Sequence, residues 1–465
     1  MLTALVVWAA GAQAASDPFP STYQPAAASP TLIRNATVLD GTGRRLDRAD
    51  VLMRDGQIVA VGPGLAADGA TVVDAQGRWV TPGLIDVHSH LGVYASPGVN
   101  AHQDGNEMTD PVTSGVWAEH GLWPQDPGFA TALAGGVTTL QILPGSANLI
   151  GGRGVTVRNV PATTMQAMKF PDAPHGLKMA CGENPKRVYG EKGRAPSTRM
   201  GNVAGYRQAF ADAQDYRNQH EKYRRELATY EAQADDGKSS RKQGAGKAGP
   251  PAPPKRDLRL ETLVAAMDGD IRVHIHCYRA DEMAVMLDLA REFGFKVAAF
   301  HHGVEAYKIA DRLAQEGVCG ALWADWWGFK MEAYDAVWEN IAFVDAPANG
   351  CAIVHSDSAE GIQWLNQEAA KAMSRGQRAG LDIPPERAIR WVTSNAARAL
   401  GIEGKVGTLE PGKLADVVIW NRDPFSVYAR ADRVYVDGSL RFDRTAPSAS
   451  PRSDFLLGQP AGGAL

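Results

Sequence analysis

The sequence predicts an α/β protein, a (β/α)₈ TIM barrel with a small β-sandwich domain built from both chain ends. Three observations carry this prediction. Apolar strand-like runs alternate with helical runs through the middle of the chain. β-Rich stretches punctuated by glycine lie near both ends. Histidines and a carboxylate collect at the C-terminal ends of successive predicted strands. The length of 465 residues suits a large catalytic domain with a smaller companion. The net charge of -4 gives no reason to expect nucleic acid or an anionic membrane surface as partner.

The first 14 residues, "MLTALVVWAAGAQA", read as a signal peptide. The segment is apolar from Leu2 to Ala12 and offers small residues at Ala12 and Ala14 for an Ala-Gln-Ala cleavage site. The apolar run is too short to span a membrane. It carries no basic head, which leaves the true translation start open. A periplasmic or secreted location follows. The four cysteines, Cys181, Cys277, Cys319 and Cys351, each sit in or beside an apolar run. They are expected to be buried small hydrophobes rather than a disulfide framework.

Residues 31–82 are strand-like segments divided by glycine turns, such as "TLIRNATVLDGTG" and "DVLMRDGQIVAVG". Residues 406–445, with "LADVVIWNRDPF" and "DRVYVDGSLRFD", have the same character. The two stretches are expected to pair into one small domain. Residues 83–405 form the barrel. There "IRVHIHC", "DEMAVMLDLAREFG", "KVAAFHHG" and "EAYKIADRLAQEG" alternate strand and helix, which calls for a parallel sheet. An insertion at about 200–257 interrupts the barrel: a long charged helix over 203–234, then a Gly/Pro-rich linker.

The chemistry begins with "PGLIDVHSH". Side chains alternate along a strand, so His88 and His90 share a face and can reach one metal ion. "VHIHC" places His274 and His276 on one face, "AAFHHG" ends in His301 and His302, and "AIVHSDS" carries His355 and Asp357. Strand ends of this kind converge at the mouth of a (β/α)₈ barrel, where active sites sit.

These motifs, together with "VGTLEPGKLADVVIW" and "TSNAARALGI", resemble the amidohydrolase superfamily over roughly residues 31–445. The resemblance is nearest to its imidazolonepropionase- and prolidase-like branch through "RADEM", "HHGVEAYKIADRLA" and "LPGSANLIGG". It implies two divalent metal ions. His88 and His90 would hold the first, His276 and His302 the second, and Asp357 would touch the first and handle protons. His276 is preferred to His274 because it lies nearer the strand end. His302 is preferred to His301, which is expected to face the outer layer. His274, His301 and His355 are read as supports. In strand 4, "HGLKMACGENPKRVYG" offers Glu183, preferred because it lies at the strand end, with a carboxylated Lys178 bridging two metals as the alternative. Without either, one metal and a deaminase-like site would remain.

Imidazole and carboxylate ligands suit Zn²⁺ first, with Mn²⁺, Fe²⁺ or Ni²⁺ also suited. The expected reaction is hydrolysis of a C–N bond in an amide, cyclic amide or peptide by a metal-activated hydroxide. Asp357 would be base and then acid. Arg187, Tyr189, Tyr278 and Arg279, just past strands 4 and 5, are candidate substrate-binding residues, a guanidinium gripping a carboxylate. The partner is a small amide or peptide, and a homo-oligomer is left open. A mononuclear deaminase-like hydrolase and a non-catalytic scaffold are the alternatives. The polar loop 101–111 and the aromatic run "LWADWWGF" are read as loop and packing.

Overall fold

The computed structural model describes residues 17–236 and 249–446. The signal-peptide segment, residues 237–248 of the linker and the tail from 447 lie outside the described residues.

The chain opens with β1 (Thr31–Leu39), β2 (Arg45–Arg54), β3 (Gln57–Gly62), β4 (Thr71–Asp74) and β5 (Trp79–Pro82). The barrel strands follow: β6 (Leu84–Ser89), β7 (Val137–Ile142), β8 (Ile150–Arg158), β9 (Gly176–Ala180), β10 (Arg272–Cys277), β11 (Val297–His302), β12 (Cys319–Leu322) and β13 (Ala352–Val354). The chain then returns through β14 (Val417–Trp420), β15 (Ala431–Val436) and β16 (Ser439–Asp443).

The two chain ends build one hydrogen-bonded sheet in the order β16-β15-β14-β5-β1-β2-β3, with β4 on β1. The expected division into the two sheets of a sandwich does not appear in this hydrogen bonding. Its hairpins follow local chemistry. Asp55-Gly56 and Asp437-Gly438 hold positive φ at both positions (51° and 78°, 49° and 72°). This is the two-residue turn whose twist matches the strands it joins. β5 meets β14 antiparallel, pairing Val80 with Ile419 and Thr81 with Val418, so the first and last thirds of the chain share one core of Ile33, Val38, Val51, Val80, Val417 and Ile419.

The second sheet runs β13-β12-β11-β10-β9-β8-β7-β6. Its apolar strands, buried on both faces, pack inward on one another and outward on helices such as Ala280–Phe293 and Leu365–Arg378. One strand breaks the all-parallel expectation: β8 runs antiparallel to both β7 and β9. The connection 143–149 is far shorter than the dozen or so residues a parallel crossover needs, so the chain can only double back. The ring is nearly closed, and its seam between β13 and β6 is bridged by individual bonds. Asp357 N–H donates to His88 O at 3.1 Å. Buried Asp86 accepts from the Ser356 hydroxyl and from the backbone N–H groups of Ser356 and His88. Burial raises the Asp86 carboxyl to about 6, against the pull of those donors.

The cysteine expectation is overturned. Cys181 is bonded to Cys277 and Cys319 to Cys351. The partners are 96 and 32 residues apart in sequence, yet adjacent across neighbouring strands. Ala180 pairs with His276 and Gly320 with Ala352, so the flanking cysteines fall side by side. Closing loops of this size stabilises by about 3–5 kcal/mol each in the chain-entropy account.

The inserted helix spans Arg199–Asp236. Its first half packs Phe210 against Phe293 and Phe295, and its charged far half is largely exposed. A buried ion network joins barrel to sheet. Arg158 at the end of β8 donates to Asp416 (2.6 and 2.7 Å) and Asp437 (2.8 Å), and Tyr23 donates to Asp437. Arg158 is completely buried. Arg158→Leu would strand two buried carboxylates and is expected to cost about 3–5 kcal/mol. Chemical denaturation would read the loss; a change below 1 kcal/mol (about fivefold in the equilibrium) would show that the network carries no stability.

Candidate metal centre and substrate mouth

His88 is the penultimate residue of β6 and His90 follows the strand, both turned to the mouth as the alternation requires. Their Nε2 atoms lie 3.2 Å apart. Asp357 Oδ1 lies 3.4 Å from the first and 3.2 Å from the second. His90 Nδ1 donates to Leu143 O at 2.8 Å, which leaves its Nε2 lone pair free. Two lone-pair nitrogens and a carboxylate oxygen in so small a triangle repel unless a cation lies between them. Ligands bound to one cation at about 2.0–2.2 Å are themselves separated by about 3–3.5 Å, which is the spacing seen.

A second group adjoins it. His88, His302 and His355 present ligand atoms within 4.8 Å of one another. His276 lies beside His302, ring centroids 4.6 Å apart. Both nitrogens of His276, both of His355 and Nδ1 of His302 are buried and find no hydrogen-bond partner among the described residues. Buried polar atoms are nearly always paired, so this cluster of unpartnered imidazole nitrogens fits a site for divalent cations. Burial, with Lys330 and Lys178 nearby, holds His276 well below the usual imidazole range. Burial likewise lowers His88 and His302 strongly and pushes His355 down to about 4. These rings are therefore neutral at pH 7, the form that binds metal. Burial would raise the Asp357 carboxyl, but the neighbouring His90, His355 and Lys178 outweigh it and hold it below the usual carboxylate range.

His301 does not face the outer layer. In register it pairs with His276, an inward position, and so points inward itself. His302 should then point outward, but a φ of +71° turns it back to the mouth. Asp357 has a φ of +49°. Left-handed backbone at a non-glycine residue costs on the order of 1–3 kcal/mol, and these two of the nine instances among the described residues deliver their side chains to the same place. His301 Nδ1 lies 2.8 Å from His88 Nδ1, and His301 Nε2 lies 2.9 Å from His274 Nδ1. His301 and His274 thus orient His88 from behind.

Strand 4 departs from the preferred reading. Glu183 starts the helix Glu183–Gly190 and turns its carboxylate to Lys330, 3.6 Å away. It joins neither group of converging ligands among the described residues. Lys178 is completely buried beside His274, its Nζ donating to Pro144 O and Ser146 Oγ at 3.0 Å. Burial lowers its ammonium to about 8, partly offset by Asp357.

The substrate candidates separate. Tyr189 is buried and bonds Asp110 O and Asn148, a structural position. Arg279 is paired with Asp281 outside the site, and Arg187 is exposed. Tyr278 alone borders the cluster, its ring 4.8 Å from His276. Trp323, assigned above to packing, stacks 4.2 Å from His302. Lys330, in the loop after β12, was not singled out; nothing in its local sequence marks it, because the fold of that loop brings it to Tyr278.

The family model described as "Amidohydrolase family" matches residues 345–441. The crystal structure of an amidohydrolase from Thermotoga maritima MSB8 is 34% identical and superposes with a TM-score of 0.75, covering 89% of this chain and all of that one (100%). The chain belongs to the amidohydrolase superfamily of hydrolases. This amidohydrolase is also 32% identical over 471 residues to "Amidohydrolase tasK" of Hapsidospora irregularis, a match covering 93% of this chain but only 45% of that protein. An imidazolonepropionase of Mesorhizobium japonicum is 25% identical over 432 residues, covering 83% of this chain and 90% of its own.

Removing the partner that orients a metal-binding histidine typically costs 10–100-fold in metal affinity. His301→Ala should weaken the hold on added zinc by that factor in a chelator competition, with the fold retained by circular dichroism. Unchanged affinity would make His301 a packing residue only.

Proposed function

We propose that this amidohydrolase cleaves a C–N bond in a small amide, cyclic amide or peptide with the help of two divalent cations, Zn²⁺ first. The triangle of His88 Nε2, His90 Nε2 and Asp357 Oδ1 carries the reading. His88, His90 and Asp357 would hold one ion. His276 and His302, with His355 beside them, would hold the other. Bound there, the cations supply Lewis acidity and a water of lowered pKa. In this proposal Lys178, once carboxylated, would take the place of Glu183 as the strand-4 residue that holds metal. Its burial among the histidines supports this.

The residues divide the remaining work. Asp357, ionised and at the rim, accepts a proton from the attacking water and delivers it to the leaving nitrogen. The hydrogen bond from His90 Nδ1 to Leu143 O holds that ring's Nε2 toward the site. Tyr278 and Trp323 wall the mouth and exclude water. One observation favours the mononuclear alternative: Lys178, as an unmodified amine, is already satisfied by Pro144 O and Ser146 Oγ.

The two disulfides support export, since oxidising compartments sustain them. Fractionation should find the protein in the periplasm or medium with its leader removed near Ala14; a reduced cytoplasmic form would end that proposal.

The activity test is a panel of dipeptides, N-acyl amino acids and cyclic amides with metal-replete protein. Chelation should abolish turnover, added zinc should restore it, and metal analysis should give about two ions per chain. Asp357→Asn should lower kcat by about 10²–10⁴-fold. Full activity of the chelated protein or of the variant would remove the mechanism, and one ion per chain would favour the mononuclear form.

A further inference from the structure

One cation at the mouth is left without work by the proposed chemistry. Lys330 is 16% exposed, yet it lies on the site's own wall. Its Nζ sits 4.8 Å from the Tyr278 ring centroid and 5.9 Å from that of Phe329. Tyr278 in turn touches the rings of His276 (4.8 Å) and His302 (5.7 Å). The ammonium has three donors. Among the described residues only Asn184 Oδ1, at 2.7 Å, accepts one at full strength. The Glu183 carboxylate stands off at 3.6 Å, beyond the 2.7–2.9 Å of a charge-assisted hydrogen bond. The neighbouring carboxylate of Glu332 is committed to Arg199 and to the Glu183 backbone N–H. Burial disfavours the charged form of Lys330. A desolvated ammonium, flanked by aromatic faces and incompletely paired, is a receptor for an anion.

We infer that Lys330 binds a carboxylate on the substrate, with Glu183 as the internal counter-ion that the substrate displaces, and with Tyr278, Trp323 and Phe329 flanking an apolar group next to that carboxylate. The inference rests on the hydrolase reading for its meaning, and it adds the substrate class: acidic amides in preference to neutral ones. Trp323 and Phe329 are 6.0 Å apart in an edge-to-face arrangement, which extends the aromatic wall from His302 outward. Glu183, at 28% side-chain exposure, has room to turn to solvent when its place is taken.

The test uses binding rather than turnover. The probes are 3-phenylpropanoate and its neutral analogue 3-phenylpropan-1-ol, neither of which can be hydrolysed, titrated into the metal-replete full chain by calorimetry. The wild type should prefer the acid by about tenfold, the worth of one charge-assisted hydrogen bond. Lys330→Met should bring the ratio near one, Lys330→Arg should keep most of it, and Glu183→Gln should tighten the acid severalfold. A wild-type ratio near one, a ratio unmoved by Lys330→Met, or no binding of the acid overturns the inference. Loss of turnover on every amide with these ratios intact would sink the hydrolase reading instead.

Discussion

The seam between β13 and β6 is the constraint on which the site depends. His88 and Asp357 belong to strands at opposite ends of the barrel sheet, and only closure of the ring makes them neighbours. The 3.1 Å hydrogen bond from Asp357 N–H to His88 O makes that closure through the backbone of these two residues themselves. Asp86 ties the same two strands one layer deeper through Ser356. The parts of the chain most remote in the sheet are thus joined where the chemistry needs them, and the geometry of the triangle is set by backbone rather than by flexible side chains.

Burial then tunes what closure assembles. The imidazoles at the mouth are deprived of water, so their neutral forms prevail and their lone pairs are offered inward. Leaving such nitrogens unpaired is costly in an empty interior. The strained backbone at His302 and Asp357 adds to that cost. A domain stabilised by two cross-links and a buried Arg158 network can sustain a local arrangement of this kind, in which stability elsewhere offsets strain at the working end.

The α/β barrel was legible because its strands are apolar, short and spaced by helical runs, and the His-x-His pair because strand periodicity is two. Where the sequence misled, register was the missing quantity. Cys181 and Cys277 look unrelated along the chain and are adjacent only once β9 and β10 are aligned. His301 faces inward, against expectation, because the positive φ at His302 interrupts the alternation and leaves both side chains inside the ring. Glu183 lay past the strand end, where a helix start carried it toward Lys330. Lys330 itself entered through the path of a loop, which no local pattern encodes. The reversal of β8 could have been read from the short connection before it, which leaves no space for a crossover.

That reversal limits one loop of the rim. Because β8 runs backward, the segment 143–149 lies at the rim as a tight corner, and its carbonyls at Leu143 and Pro144 take the protons of His90 and Lys178. Elsewhere in the barrel the connections are longer, most visibly the one between β9 and β10. This corner has no such freedom. A single added residue would shift the acceptors that orient His90 and Lys178, so changes of length are better tolerated in the other loops of the rim.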